Sequence, residues 1–190
     1  MLRRSMSEFV SRAGQKLEHA LGTFGIDVAG KVCADLGSNT GGFVDCLLGR
    51  GAGKVYAIDT GYGALAWKLR KDARVVVMER TNAMHAILPE PAEIVTIDVA
   101  WTKQKHILPA ARRMLAEGGT VVTLVKPHYE AEAGQLRKGI LMPEALEGVL
   151  AGVRRDIEMA GFRLEALIPS PIQGGKGNFE FLGHLRVAGT

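Results

Sequence analysis

Four charged residues stand where they could manage a proton: Lys16, Asp98, Lys126 and Glu180. Asp98 and Lys126 each close a short apolar run, Glu180 opens one, and Lys16 follows Ser11-Arg12-Ala13-Gly14-Gln15 in a helix-forming stretch. A lysine drawn out of water gives up its proton more readily and can act as a base, while a neighbouring carboxylate orients it. Such a set suits the activation of a hydroxyl, which is a poor nucleophile until its proton is accepted. Taken singly, Lys16 reads better as a solvated helix residue and Glu180 as an ordinary strand-edge charge.

A second group could hold a ligand. The segment Asp35-Leu36-Gly37-Ser38-Asn39-Thr40-Gly41-Gly42-Phe43 follows an apolar run and precedes a helical one. Glycines there permit a tight turn and a close approach of ligand to backbone. The spacing is not the dinucleotide fingerprint, and no Gly-Lys-Ser/Thr follows as in a P-loop. It is similar to the cofactor loop of class I methyltransferases. Asp59 closes the second apolar run, where a carboxylate can accept hydrogen bonds from ribose hydroxyls. Asn82 follows the third and offers donor and acceptor to an adenine edge. Loop, acid and amide together point to a nucleoside-type cofactor. The residues suggest no metal site.

These residues need elements to carry them. Short β-rich runs at Lys31–Leu36, Lys54–Asp59, Arg74–Glu79, Ile94–Asp98, Thr120–Val125, Arg163–Pro169 and Phe179–Val187 alternate with helical periodicity. The central runs are almost continuously apolar, as strands covered on both faces are. Ile107, Leu108, Ala111, Met114 and Leu115 mark one helix, expected to end at Gly118-Gly119, and Leu146, Leu150, Val153, Ile157 and Ala160 mark another between Pro143 and Gly161. Phe9–Phe24 reads as a helix ahead of the first strand. The alternation predicts an α/β fold, a class I (Rossmann-like) arrangement with a mostly parallel seven-stranded sheet and helices on both faces. Residues 1–190 are expected to form one domain, with 1–29 a helical segment leading into the sheet. Pro127–Pro143 is expected to be a lid-like loop, and Ser170–Asn178 a second loop before the last strand.

Composition narrows the class. A hydrophobic fraction of 47% supports a packed core. No apolar run is long enough to span a bilayer, and the basic start leads into polar residues, so the expected location is cytoplasmic. Cys33 and Cys46 have neither disulfide nor zinc spacing and are expected to be buried free thiols. The net charge of +4 is modest, but basic residues cluster at Arg3/Arg4, Lys68/Arg70/Lys71, Lys103/Lys105, Arg112/Arg113 and Arg137/Lys138. Such clusters permit a polyanionic partner, and a solvated basic face is the alternative. Trp67 is expected to pack in the core from an amphipathic helix, whereas Trp101, just after Asp98, is a candidate for stacking on an unpaired base.

From Ser11 to Leu182 the chain resembles the methyltransferase domain of the TlyA (hemolysin A-like) family, within the FtsJ-like group of RNA ribose methyltransferases. The segments that carry the resemblance are SRAGQKL from Ser11, GKVCADLGSNTGGFVDCLL from Gly30, KVYAIDTGYGALAWKLR from Lys54, VVVMERTNA from Val75, VTIDVA from Val95, LVKPHYE from Leu124 and GGKGNFEFL from Gly174. The resemblance implies S-adenosylmethionine as cofactor, held among Gly37, Gly41, Phe43, Asp59, Asn82 and Asp98, and RNA, ribosomal RNA first, as substrate. It places the group's Lys-Asp-Lys-Glu set on Lys16, Asp98, Lys126 and Glu180. Lys126 would be base or activator of a ribose 2′-hydroxyl, Asp98 and Glu180 would orient it, and Lys16 would position the hydroxyl or a phosphate. Family members usually carry an S4-type RNA-binding domain ahead of this one, for which the chain leaves no room. RNA recognition would then fall to the basic clusters or to a partner protein. After Asp98 the family's Ser-Phe-Ile-Ser is replaced by Ala100-Trp101-Thr102-Lys103, and the lid lacks the usual Arg-Asp pair. Two other readings compete: a methyltransferase for a non-ribosomal or small-molecule acceptor, and a catalytically idle RNA-binding module.

Overall fold

The computed structural model describes residues 9–189, so the Arg3/Arg4 cluster lies outside the described residues. Seven strands form one sheet in the order β3-β2-β1-β4-β5-β9-β8. They are β1 (Val32–Leu36), β2 (Lys54–Ile58), β3 (Val75–Met78), β4 (Ala92–Ile97), β5 (Leu115–Val125), β8 (Phe162–Pro169) and β9 (Phe181–Val187). A separate antiparallel pair, β6 (Leu136–Arg137) and β7 (Ile140–Leu141), lies between β5 and β8 in the chain. β1 to β5 pair in parallel, and β9 inserts antiparallel between β5 and β8. The expected mostly parallel seven-stranded sheet is therefore present.

Successive residues of a strand point to opposite faces, and the core divides accordingly. Cys33, Val55, Ala57 and Val122 join one buried cluster with α1 (Ala13–Phe24), α2 (Gly42–Gly49) and α3 (Trp67–Arg70). Ala34, Tyr56, Ile58 and Val121 join the other with α4 (Gln104–Met114) and α6 (Leu146–Met159). The apolar stripes anticipated on α4 and α6 are the buried ones: Ile107, Leu108, Ala111 and Met114, then Leu150, Val153 and Ile157. Both cysteines are buried and free.

Element ends moved where tertiary pairing outweighed local signals. α1 begins at Ala13, because Phe9 instead packs onto Gly14, where a Cβ would run into its ring. α4 stops at Met114 rather than at Gly118-Gly119, because Leu115 already pairs with Ala92 of β4 and so starts β5. Trp67 overturns its expectation: it is 69% exposed, with Lys71 Nζ 4.8 Å above its ring. α3 is four residues long and buries only Leu69, so the amphipathic pattern had too little helix to turn the indole inward. Pro127–Pro143 is also more ordered than a loop, containing α5 (Pro127–Glu130), a 3₁₀ turn and the β6–β7 hairpin. No helix among the described residues is long and apolar enough to cross a membrane.

Candidate active site

The sheet order reverses between β1 and β4, and at such a switch point the strand ends part to leave a crevice. Here the two strand-end loops press backbone to backbone. A Cβ on Gly37 would meet the Asp98 carbonyl oxygen at 2.6 Å, and its φ of +88° is left-handed, so only glycine fits. Two adjoining cavities open at this point, both lined by Gly37, Asn39, Asp98 and Ala100.

The larger, of about 390 Å³, runs toward β2 and β3 and is lined by Asp59, Asn82 and Trp101 among others. Asp59 accepts the Asn39 N–H at Oδ2 (2.9 Å) and the Gly61 N–H at Oδ1 (2.7 Å). It therefore shapes the cavity wall and keeps a lone pair on each oxygen for a ligand. Asn82 Oδ1 accepts the Met84 N–H at 2.9 Å, which turns the residue into the cavity wall. Trp101 is 80% exposed at the mouth and has a positive φ of 57°.

The second cavity, of about 300 Å³, lies on the α1–α2 side and is lined by Ser11, Arg12, Lys16, Asp35, Phe43 and Lys126 together with the shared residues. Asp35 is 1% exposed. Its Oδ1 accepts the Thr96 hydroxyl at 2.7 Å, whereas Oδ2 is buried and, among the described residues, without a hydrogen-bond partner. Burial pushes its carboxyl up to about 7, against the opposing pull of the Thr96 bond. Gly42 lets α1 close on α2, since a Cβ there would meet Gly14 N at 2.9 Å. Gly41, expected at the cofactor, lines neither cavity. Its φ of +99° and the side chains of Leu65 and Leu69 explain the glycine, which serves the turn and its packing.

The four charged residues converge, but as two pairs. Lys126 Nζ lies 2.6 Å from Asp98 Oδ1 and donates to the Val99 carbonyl at 3.0 Å. Lys16 Nζ donates to Glu180 Oε2 at 2.5 Å, and both side chains are buried. Glu180 thus holds Lys16 and not Lys126, contrary to the expectation that both carboxylates orient Lys126. Glu180 lies just ahead of β9, backed by Gly174, and does not itself line the cavity. The sequence reading also missed His128. Its Nδ1 is buried without a hydrogen-bond partner among the described residues, and burial lowers its basicity, with Glu180 opposing and Lys126 reinforcing that shift. The signal available was its position two residues after Lys126.

Chemically, the site offers a cleft for an elongated ligand with a hydroxyl-rich end at Asp59 and a cationic end at Asp35. A tethered lysine–carboxylate pair stands beside it, with Asp98 in the wall that the two cavities share and Lys126 in the second cavity. Among the described residues no group of His, Cys, Asp or Glu is arranged to hold a metal ion.

Comparison with known proteins shows the family and agrees with the fold. The family model for FtsJ-like methyltransferases matches residues 9–187. The Bacillus subtilis protein YqxC, whose name proposes an rRNA methyltransferase, is 45% identical over 187 residues, which are 95% of this chain and 66% of that protein. The 16S/23S rRNA (cytidine-2′-O)-methyltransferase TlyA of Mycobacterium tuberculosis is 41% identical over 186 residues, 94% of this chain and 69% of that one. A solved structure from Streptococcus thermophilus with a provisional hemolysin name superposes with a TM-score of 0.94 at 41% identity, covering all of this chain and 70% of that one. Solved S-adenosylmethionine-dependent methyltransferases under 20% identical share the fold. The chain spans just under two thirds of the length of YqxC.

Proposed function

The chain belongs to the FtsJ-like methyltransferase family, and on that premise we propose that it methylates the ribose 2′-hydroxyl of ribosomal RNA, with S-adenosylmethionine as donor. Residues 1–190 act in this reading as one methyltransferase domain, working in the cytoplasm where ribosomal RNA is found. The observation that carries it is Lys126, which lines the second cavity and is held against Asp98, a residue that both cavities share.

The residues present fit the donor. The unpartnered Asp35 Oδ2 is a carboxylate oxygen waiting for a cationic group, such as the ammonium of the methionine portion. Asp59 has free lone pairs for ribose hydroxyls, and Asn82 stands where it can meet the adenine edge. When bound, S-adenosylmethionine supplies a methyl group activated by a sulfonium.

The chain's own residues do the rest. Lys126, as the neutral amine left after its own proton has gone to solvent, accepts the proton of the target hydroxyl, and Asp98 at 2.6 Å stabilises the ammonium so formed. The Val99 carbonyl fixes the direction of the amine. Lys16, held by Glu180, contributes positive charge to the cavity beside the hydroxyl or a neighbouring phosphate. Trp101 stacks on the exposed base. The basic surface, or a partner protein, brings the RNA to the site.

Calorimetric titration with S-adenosylmethionine, followed by methyl transfer into ribosomal subunits and ribosomal RNA, tests this. The expected product is a 2′-O-methylated nucleoside on digestion. Lys126→Ala is expected to bind the donor normally and lose roughly a hundredfold or more in rate. Methylation at full rate by that variant, or methyl groups found on bases, would overturn the reading.

A further inference from the structure

Most basic clusters of the sequence are consumed inside the fold. Lys68 pairs with Asp45, Arg70 with Glu79, and Lys71 caps the Trp67 ring. Lys103 is held by the Glu130 carbonyl and Glu132, and Lys105 bears electrostatically on the Glu130 carboxylate. Arg112 and Arg113 donate to the carbonyls of Gly161 and Met84. Arg137 and Lys138 are different: both are exposed, and among the described residues the side chain of neither makes an ion pair, a hydrogen bond or a ring contact, while exposed Lys176 meets only the Lys138 carbonyl.

These three cations are gathered at one place. Arg137 ends β6, and Lys138-Gly139 form the two-residue tip joining it to β7, both left-handed at φ 53° and 79°. A tip of this kind favours Asn-Gly or Gly-Gly, and a lysine in the first position costs about 1 kcal/mol. Lys176, on the facing loop, is also left-handed at φ 57°, and its Nζ donates to the Lys138 carbonyl at 3.3 Å. The fold thus keeps two lysines where their backbone conformations disfavour them.

Asn178 fastens this tip to the active site. It is 3% exposed, its Oδ1 accepts the Leu141 N–H at 3.1 Å, and its Nδ2 donates to the carbonyls of Gly139 (3.0 Å) and Gly175 (3.1 Å). Two residues on is Glu180, whose carboxylate rests against Gly174 of the same loop. Between them Phe179 is 60% exposed. The backbone of the tip is therefore tied to the loop that leads into Glu180.

We propose that Arg137, Lys138 and Lys176 form a clasp for backbone phosphates of the RNA strand next to the target ribose, held in register with the active site by Asn178. The inference rests on the RNA reading above. Phosphate is the chemistry that three unpaired cations on one ridge accept, and it explains why lysine stands where glycine or asparagine would fold more easily.

The test uses the full chain, protein-free ribosomal RNA, and ribosomal subunits. The double variant Arg137→Gln/Lys138→Gln is expected to bind protein-free RNA about tenfold more weakly. Its log–log salt slope should fall by roughly 0.7 for each phosphate that the variant no longer neutralises. S-adenosylmethionine affinity is expected to stay within twofold. Lys138→Gly alone should weaken RNA binding while holding or raising the melting temperature, because glycine suits the tip. A charge-matched double variant near the amino-terminal ends of the parallel strands, the end away from the site, Lys31→Gln/Arg186→Gln, should leave RNA affinity within about twofold.

Unchanged RNA affinity and salt slope in the hairpin variants, with a wild-type protein that methylates RNA, would overturn the clasp and leave the function standing. An equal loss in the charge-matched control would reduce it to net charge and overturn it. A loss seen on ribosomal subunits but not on protein-free RNA would assign the ridge to a protein and overturn it too. A wild-type chain that binds the donor but neither binds nor methylates RNA would overturn the RNA reading and the clasp with it.

Discussion

Asp35→Asn keeps the shape of a side chain that is 1% exposed and removes its charge. In the folded protein the carboxyl sits at about 7 rather than 3.8, with burial as the main cause. That interval corresponds to about 4 kcal/mol at 1.36 kcal/mol per pH unit. The folded state holds this proton more tightly than the unfolded chain. Its contribution to stability is therefore fully present below pH 3.8 and is lost as pH rises through about 7. The amide cannot ionise, so the variant avoids that loss. Its NH₂ takes over the unpartnered position of Oδ2, which returns about 1–3 kcal/mol of the gain. The net expectation is a variant about 1–3 kcal/mol more stable than wild type at pH 8, with the advantage gone near pH 4. Urea unfolding at pH 4, 5.5 and 8 measures the difference, and calorimetry at pH 8 reads S-adenosylmethionine affinity. A charged hydrogen bond to the donor's ammonium is worth about 1.5–3 kcal/mol, so affinity should fall roughly tenfold to a hundredfold. A stability difference that does not change with pH would refute the burial argument. Undiminished donor affinity would refute the role given to Oδ2.

Three further outcomes follow from the same structure. Gly37→Ala forces a Cβ to within 2.6 Å of the Asp98 carbonyl at a left-handed φ; about 2–4 kcal/mol of stability should be lost by thermal unfolding, together with donor binding. Trp101→Ala should weaken RNA binding or turnover roughly tenfold by lost stacking, whereas Trp67→Ala should leave both alone and change stability by less than about 0.5 kcal/mol. A Trp67 cost of the size of a core tryptophan would contradict its exposed position. Glu130, pushed up to about 7 by burial, accepts the Gln104 N–H at 2.9 Å at the start of α4. Its contribution to stability falls as pH rises through about 7, so Glu130→Gln should gain on wild type between pH 6 and 8, and by less than at Asp35 because the site is partly open to water. A gain that shrinks with rising pH would contradict the assignment.

Much of this could be read from residue order alone, because local rules decide it. Apolar runs separated by helical stripes imply a sheet covered on both faces, and that alternation admits few topologies. The strand ends Asp59, Asp98 and Lys126 were legible for the same reason: in a parallel sheet, residues that close successive strands meet at one edge. Gly37 was legible as a glycine, although the reason for it, the Asp98 carbonyl, was not.

What residue order could not decide are matters of distance between segments far apart in the chain. Lys16 and Glu180, 164 residues apart, pair because β9 inserts antiparallel beside β5, and no local signal specifies that insertion. For the same reason Glu180 went to Lys16 and left Lys126 to Asp98. Gly41 answers to Leu65 and Leu69, and Trp67 is exposed because α3 is too short to bury it. The basic clusters look alike as sequence. Only the tertiary structure shows that most are engaged by carboxylates, carbonyls or a ring, while the Arg137 and Lys138 side chains have no such partner among the described residues. Charge is a local property of a residue, but whether it is compensated depends on what the fold brings within about 4 Å of it.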